Sequence, residues 1–419
     1  MKFLKDKILR KNFSYLFILQ MANYIVPLFL FPYLGRVLGA ENFGKIMFAQ
    51  AVVAYFVLFT DFGFNVSSTK EIADSLGDKI QISISFWDTM LAKTILFSIS
   101  LIVFLVIVYS FDNLRHDHIL FLISFVNVFS SILLPLWLFQ GLEKMGLLVI
   151  VNTIPRLIMC LVTIIVVKTA QDYHLALLIQ VLTNLVSAIL SLILAFSFKL
   201  IVFIKPDFKR ARVQIYNGWH IFATSLSSNL YTTTNTVLLG VFVGNIAVGI
   251  YSASDKIIRA IIGLLSSITQ VIFPRVNVYY QESKQKCWSF IRQIVVLMSI
   301  ACLIIGLGLY IFANDIIMLM FKNGDFNKSI TVLQYSVLLP LFSVINGIIA
   351  INVFITFGFR KSLLKIVFIG CLFSLAFISP LVIFFKEIGA VICATLTELI
   401  ILLLFMNFIR IKKLSAYGR

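Results

Sequence analysis

The chain has 419 residues, of which 60% are hydrophobic and 13% charged, with a mean hydropathy of +1.02 and a formal net charge of +17. A soluble chain of this size carries roughly 25% charged residues, so composition alone excludes a soluble fold. The surplus of Lys and Arg is not a nucleic-acid footprint, because it is spread over many short loops without a stripe or a recognition motif; attraction to an anionic cytoplasmic leaflet accounts for it.

Apolar stretches of about 20 residues recur along the chain, each long enough to cross a hydrocarbon core about 30 Å thick, where unpaired backbone groups are forbidden and helices follow. No alternation of the kind a transmembrane barrel needs is visible. The opening MKFLKDKILRKN and the apolar run after it have the order of a signal peptide. That run is too long, contains Pro27 and lacks a small-residue cleavage site, so it reads as the first span. Twelve spans are expected, near 13–34, 43–64, 82–110, 119–140, 145–167, 174–198, 215–242, 249–278, 288–313, 330–357, 362–385 and 389–409. With the first residues inside, inner loops and tails hold 21 basic residues and outer loops six, which puts both termini in the cytoplasm.

The most basic loop (Lys199, Lys205, Lys209, Arg210, Arg212) separates spans six and seven and suggests two halves: 1–198, a linker 199–214, and 215–419. An ungapped offset of 205 residues aligns Asn12 with Asn217, Gly35 with Gly240, Gly39 with Gly244 and Gly44 with Gly249. The same offset places SILLPLW (Ser131 to Trp137) on SVLLPLF (Ser336 to Phe342), so that Pro135 meets Pro340. The fold class expected is therefore an all-α polytopic membrane protein with a parallel internal repeat of two six-helix bundles, which would enclose a cavity and rock against each other.

Polar residues inside such spans are costly and need a partner or water. Span one carries Gln20, Asn23, Tyr24 and Pro27, with Arg36 and Lys45 at its outer mouth, and span two closes on Asp61. Span three holds Asp88 and Lys93; Asp88, like Arg292 in span nine, lies about a turn from a cytoplasmic end and could snorkel. Arg156 in span five and Arg259 in span eight sit deeper and point to a water-filled cavity. Span eight also carries Lys256 and Asp255, the latter four residues before Arg259, a spacing that equally allows a simple pair on one helix face. Glu398 lies in span twelve. Span seven contains TSLSSNLYTTTNT (Thr224 to Thr236), too polar for lipid; either it is helix–helix glue or Asn229, Tyr231, Thr233 and Asn235 line a cavity.

Catalytic signatures are absent: there is no GxxxxGK[ST], no HExxH and no GxSxG, so neither an enzyme nor a cofactor is expected. Cys160, Cys287, Cys302, Cys371 and Cys393 stand singly, and no Cys/His spacing suggests a metal.

The stretch FPYLGRVLGAENFGKIMFAQAVVAYFVLFTDFGFNVSSTKEIA, from Phe31 to Ala73, resembles the N-terminal signature of Wzx-type O-antigen and polysaccharide repeat-unit flippases of the multidrug/oligosaccharidyl-lipid/polysaccharide exporter superfamily. WLFQGLEK (Trp137 to Lys144) and GIYSASDKI (Gly249 to Ile257) resemble that family's fourth and eighth spans. The resemblance implies a MATE-like fold and transport of an undecaprenyl-diphosphate-linked oligosaccharide across a bacterial inner membrane, with membrane lipids and polysaccharide polymerase and chain-length proteins as further partners and no nucleic acid. On that reading Arg156, Lys256, Arg259 and Lys93 would accompany the phosphates, with the span-seven side chains, Asn23, Tyr24, Arg36 and Lys45 completing the path. Ion coupling would fall to Asp61, Asp88, Asp255 or Glu398. Two rivals remain open: an ion-coupled drug or toxin extruder of the same superfamily, and a membrane glycosyltransferase or polymerase, which would normally need larger loops.

Overall fold

The computed structural model describes residues 7–412 except Asn323; the parts of the basic tails beyond them, used above for orientation, lie outside the described residues. All regular elements among the described residues are helical. They are α1 (Lys7–Asp61), α2 (Phe64–Asp74), α3 (Lys79–Ser110), α4 (Asp112–His116), α5 (His118–Leu133), α6 (Leu136–Gly141), α7 (Met145–Val166) and α8 (Tyr173–Ser197). After the linker come α9 (Phe208–Phe242), α10 (Asn245–Glu282), α11 (Lys284–Ile311), α12 (Ala313–Phe321), α13 (Asn327–Tyr335), α14 (Leu339–Ile349), which runs into a π-helical turn at Ala350–Ile355, and α15 (Arg360–Ile411).

Among the described residues eight helices are long and apolar enough to cross a membrane, and nine if the bent pair Gly324–Tyr335 and Leu339–Ile355, which turns by 49°, counts as one. The helix expected as span seven is present as the 35-residue α9, but its polar run keeps it out of that apolar set. Two of the long helices are not single rods. Gly39 breaks α1 with φ 73° and ψ 171°, and Lys386 breaks α15 with φ 50° and ψ −129°. The first of these is a conformation essentially closed to a side chain.

Two pairs of positions aligned by the 205-residue offset share backbone features. Gly244, the partner of Gly39 at the 205-residue offset, adopts φ 108° and ψ 177° and starts α10 as Gly39 restarts α1. Pro135 sits in the gap between α5 and α6, and Pro340 in the first turn of α14, just after the gap that follows α13. Each lacks the N–H a continuous helix would need, so the chain is interrupted beside the same motif in both halves.

Contacts sort the chain into two compact units: residues 1–26 with 48–226, and residues 27–47 with 227–419. In the first, one apolar core gathers Ile72, Phe86, Trp137, Phe139 and Leu148, and a second joins Phe62, Phe64 and Ala92 to Phe222 of α9. Phe62 stacks on Phe222 with ring centroids 4.3 Å apart. In the second unit, Val276, Ile345, Val353, Phe354 and Phe405 form the main core.

Candidate functional site

In the second unit, α9, α10, α14 and the second half of α15 surround a cavity of about 120 Å³. Tyr231 and Thr232 contribute from α9, Arg259 from α10, Ser343 from α14 and Glu398 from α15. Arg259 donates through Nε to Asp255 Oδ2 at 2.8 Å and through Nη2 to the Thr232 carbonyl at 3.3 Å. The pairing allowed by the i, i+4 spacing is therefore made, yet 41% of the Arg259 side chain remains exposed to the cavity. One turn earlier on α10, Lys256 places its ammonium 4.8 Å from the centroid of the Phe31 ring. A cation over a ring face keeps its charge and its three donors free for an anion, whereas a carboxylate partner would neutralise it.

Glu398 is buried and takes part in no ion pair among the described residues. Its carboxylate accepts from Asn346 Nδ2 at 2.6 Å, and the hydroxyls of Ser343 and Tyr231 also bear on it. Asn346 Oδ1 is buried with no hydrogen-bond partner, which leaves an acceptor beside the carboxylate. The other acidic candidates are committed elsewhere. Asp61 accepts from Lys93 at 2.6 Å, Asp88 from Arg210 Nε at 2.5 Å, and Asp255 is bound by Arg259.

The predicted path residues are divided between the two units, and each is engaged within its own unit. Lys93 is fully buried in the first unit, held by Asp61, by the Ser131 carbonyl at 2.9 Å and by the face of Trp137 at 4.5 Å. Its charge is consumed internally. Asp88 does not snorkel: it is 1% exposed and accepts both the Asp207 backbone N–H at 2.9 Å and Arg210. Arg292 is exposed, as the snorkelling reading had it. Arg156 donates to Asn23 Oδ1, which ties α7 to the first half of α1, and Tyr24 beside it is half-buried. Arg36 donates to the carbonyls of Leu319 and Met320 at the end of α12, where a cation suits the helix terminus. Lys45 pairs with Glu41 at 3.3 Å. On α9, Asn229 and Thr233 are half-buried, while Asn235 is fully buried and donates to the Ala390 carbonyl at 3.4 Å. Ser343 and Asn346 were not anticipated, and the signal was there in isolated polar residues within an apolar run, SVINGII; Thr232 belongs to the polar run of α9 already singled out.

Residues 9–279 match the family model described as polysaccharide biosynthesis protein. The chain belongs to that family. Two curated relatives, each named "Putative O-antigen transporter", match almost end to end. The one from Escherichia coli K12 is 33% identical over 407 residues (97% of this chain, 98% of its own), and the one from Shigella dysenteriae is 30% identical over 408 (96% and 100%). Among solved structures, this polysaccharide biosynthesis protein has the fold of the lipid II flippase MurJ in an inward closed conformation, with TM-score 0.73, 13% identity and coverage of 96% and 90%. It also resembles an inward-facing multidrug MATE transporter of the MOP superfamily, with TM-score 0.69, 14% identity and 96% of both chains covered. It is a multi-span membrane transporter and not an enzyme.

Proposed function

We propose that this chain flips an undecaprenyl-diphosphate-linked oligosaccharide repeat unit from the cytoplasmic to the outer leaflet of a bacterial inner membrane by alternating access. The observation that carries the reading is the full-length 33% identity to a relative named "Putative O-antigen transporter", joined to a cavity into which Arg259, Tyr231, Thr232, Ser343 and Glu398 bring polar groups. The architecture proposed for it has twelve spans, with α1 and α15 each counted as two across Gly39 and Lys386, and α9 counted as a span despite its polar run. Both termini are cytoplasmic, and 1–198 and 215–419, joined by 199–214, are the repeat halves.

A diphosphate is too highly charged to cross lipid unaccompanied, and cations in a low-dielectric site supply that company. Lys256 is the cation best placed for it, since its ammonium lies over an aromatic face and makes no ion pair among the described residues, and the exposed part of Arg259 is the second. Arg156 takes the same role in the first unit. Tyr231, with Asn229 and Thr233, offers hydroxyl and amide groups to sugar. Glu398 is the proposed seat of the coupling proton or cation, because it is the acidic candidate without a fixed cationic partner among the described residues. In cells lacking the gene, lipid-linked oligosaccharide should accumulate on the cytoplasmic leaflet, and this chain should restore its passage. Glu398→Gln should restore it without the dependence on an ion gradient, and Lys256→Gln should not restore it. Restoration of drug resistance in place of polysaccharide export would overturn the reading.

A further inference from the structure

The first unit contains four carboxamides that no ionic or packing role accounts for. Gln50, in the second half of α1, donates through Nε2 to Oε1 of Gln180 on α8 at 2.9 Å. Asn184 of α8 donates through Nδ2 to Oδ1 of Asn127 on α5, also at 2.9 Å. Gln180 and Asn184 are four residues apart, so the two pairs stand one helical turn apart on one face of α8. The result is a ladder of amides inside membrane-spanning segments.

The direction this ladder faces can be worked out from exposure. Asn184 is exposed, and Asn127 and Gln50 are half-buried. The exposed apolar residues of α8, Leu175, Leu178, Ile189, Ile193 and Phe196, mark its lipid side. At 3.6 residues per turn they lie roughly 120–180° around the helix from Asn184. On α5 the exposed Ile119, Leu122 and Phe129 lie roughly 80–160° from Asn127. An amide open to its surroundings, on the side of the helix turned from lipid, is in contact with water and not with acyl chains. Amides recruited only to glue helices would instead be closed over by them.

The chemistry narrows the ligand. The ladder carries no charge, so it does not select phosphate. After pairing, Asn184 keeps one N–H and a carbonyl lone pair, and Asn127 keeps its whole NH₂, so the rung offers donors and acceptors in fixed planes. A sugar hydroxyl both donates and accepts, and neighbouring hydroxyls need both kinds of partner side by side. We propose that Gln50, Asn127, Gln180 and Asn184 form a binding track for the hydroxyls of a neutral glycan, with Asn184 as its contact point. This rests on the flippase reading and adds a sugar-handling surface in the first unit to the cationic cavity in the second.

The test uses the full-length purified protein and, as probe, the repeat-unit oligosaccharide freed of lipid and phosphate by mild acid. Wild type should show saturable thermal stabilisation by this probe. Asn184→Leu should melt at the wild-type temperature without sugar and need about tenfold more sugar for the same shift, the cost of about one good hydrogen bond. Asn184→Gln should retain binding. In cells, Asn184→Leu should lower polysaccharide export at unchanged protein level. If Asn184→Leu binds and exports as wild type does, or if wild type exports but is not stabilised by the probe, the track is wrong and the flippase reading stands. A variant that melts early without sugar makes the ladder structural and also overturns the track. Failure of wild type itself to restore export sinks the flippase reading instead.

Discussion

Gly44 and Gly249 are repeat mates, and they close the same helix contact from opposite sides. A Cβ on Gly44 would stand 1.8 Å from the Asn245 carbonyl oxygen, and one on Gly249 2.0 Å from that of Ala40. Ala40 and Asn245 are themselves related by the 205-residue offset. The contact is thus symmetric, backbone against backbone, and no side chain can yield to relieve it. Gly44→Ala and Gly249→Ala should each destabilise the protein by about 1–3 kcal/mol, the usual cost of overpacking. Because both variants pry open one contact, the double variant should cost much less than the sum, which thermal melts of the four proteins would read. Additive losses would mean that the two glycines act separately.

The Lys93–Asp61 pair separates a structural from a substrate role. Asp61→Asn leaves a fully buried ammonium with only a carbonyl and a ring face, a loss of about 3–5 kcal/mol expected for a broken buried pair. Lys93→Met with Asp61→Asn removes both charges and should recover most of the protein level. Export should recover with it. If the double variant accumulates normally but does not export, Lys93 contacts the cargo after all.

The linker is fastened by two carboxylates of different kinds. Asp88 is buried and receives Arg210, whereas Asp207 is half-buried and caps α9 by accepting from Lys209 N at 2.7 Å and Arg210 N at 3.1 Å. The Arg210 backbone N–H, helped by that of Lys209 and by both their positive charges, holds the Asp207 carboxyl below the usual range, against a desolvation second in size only to the Arg210 N–H. A folded-state value below the unfolded one means that the cap is in full force above the ordinary carboxylate pKa and is lost as pH falls through the lowered one. Proteolytic cleavage in 199–207 should stay flat from neutral pH to pH ~5 and rise only under stronger acid, near or below the ordinary Asp value of about 3.9. Asp207→Asn should flatten the acid limb.

Replacing the polar run of α9 by Leu and Val should improve it as a membrane helix. Changing Asn229, Tyr231 and Thr233 alone should leave a stable protein that fails to export. Asn235 should behave differently, because it is fully buried against the Ala390 carbonyl: its loss should lower protein level as well. Melting temperature, abundance and export measured on the two sets would tell glue from lining.

The helical fold and the breaks at Gly39 and Gly244 could be read from the chain, because apolar length and glycine punctuation are local properties. The site was less legible, for a geometric reason. Asn229, Tyr231, Thr233 and Asn235 alternate, but alternate residues of a helix do not share a face. Tyr231 and Asn235, four apart, do share a face, yet the structure sends Tyr231, with Thr232, to the cavity and Asn235, one turn further on, into packing. Lys93 and Arg259 looked alike in the sequence, two cations in apolar helices. What separates them is a partner that closes over one and leaves the other partly open, and such partners lie 32 residues away in one case and four in the other.

Residues 27–47 are made early, yet the surfaces that hold them belong to α10 and α12. Some 200 residues must be translated between Gly44 and the Asn245 carbonyl it abuts, which at ordinary synthesis rates is on the order of 10–40 s. For that interval the hairpin around Gly39 sits in the bilayer with a bare, close-approach groove and no mate. Whatever assists insertion of this chain must therefore shelter its first hairpin until α10 emerges, and a ribosome stalled before Asn245 should leave that hairpin open to proteases.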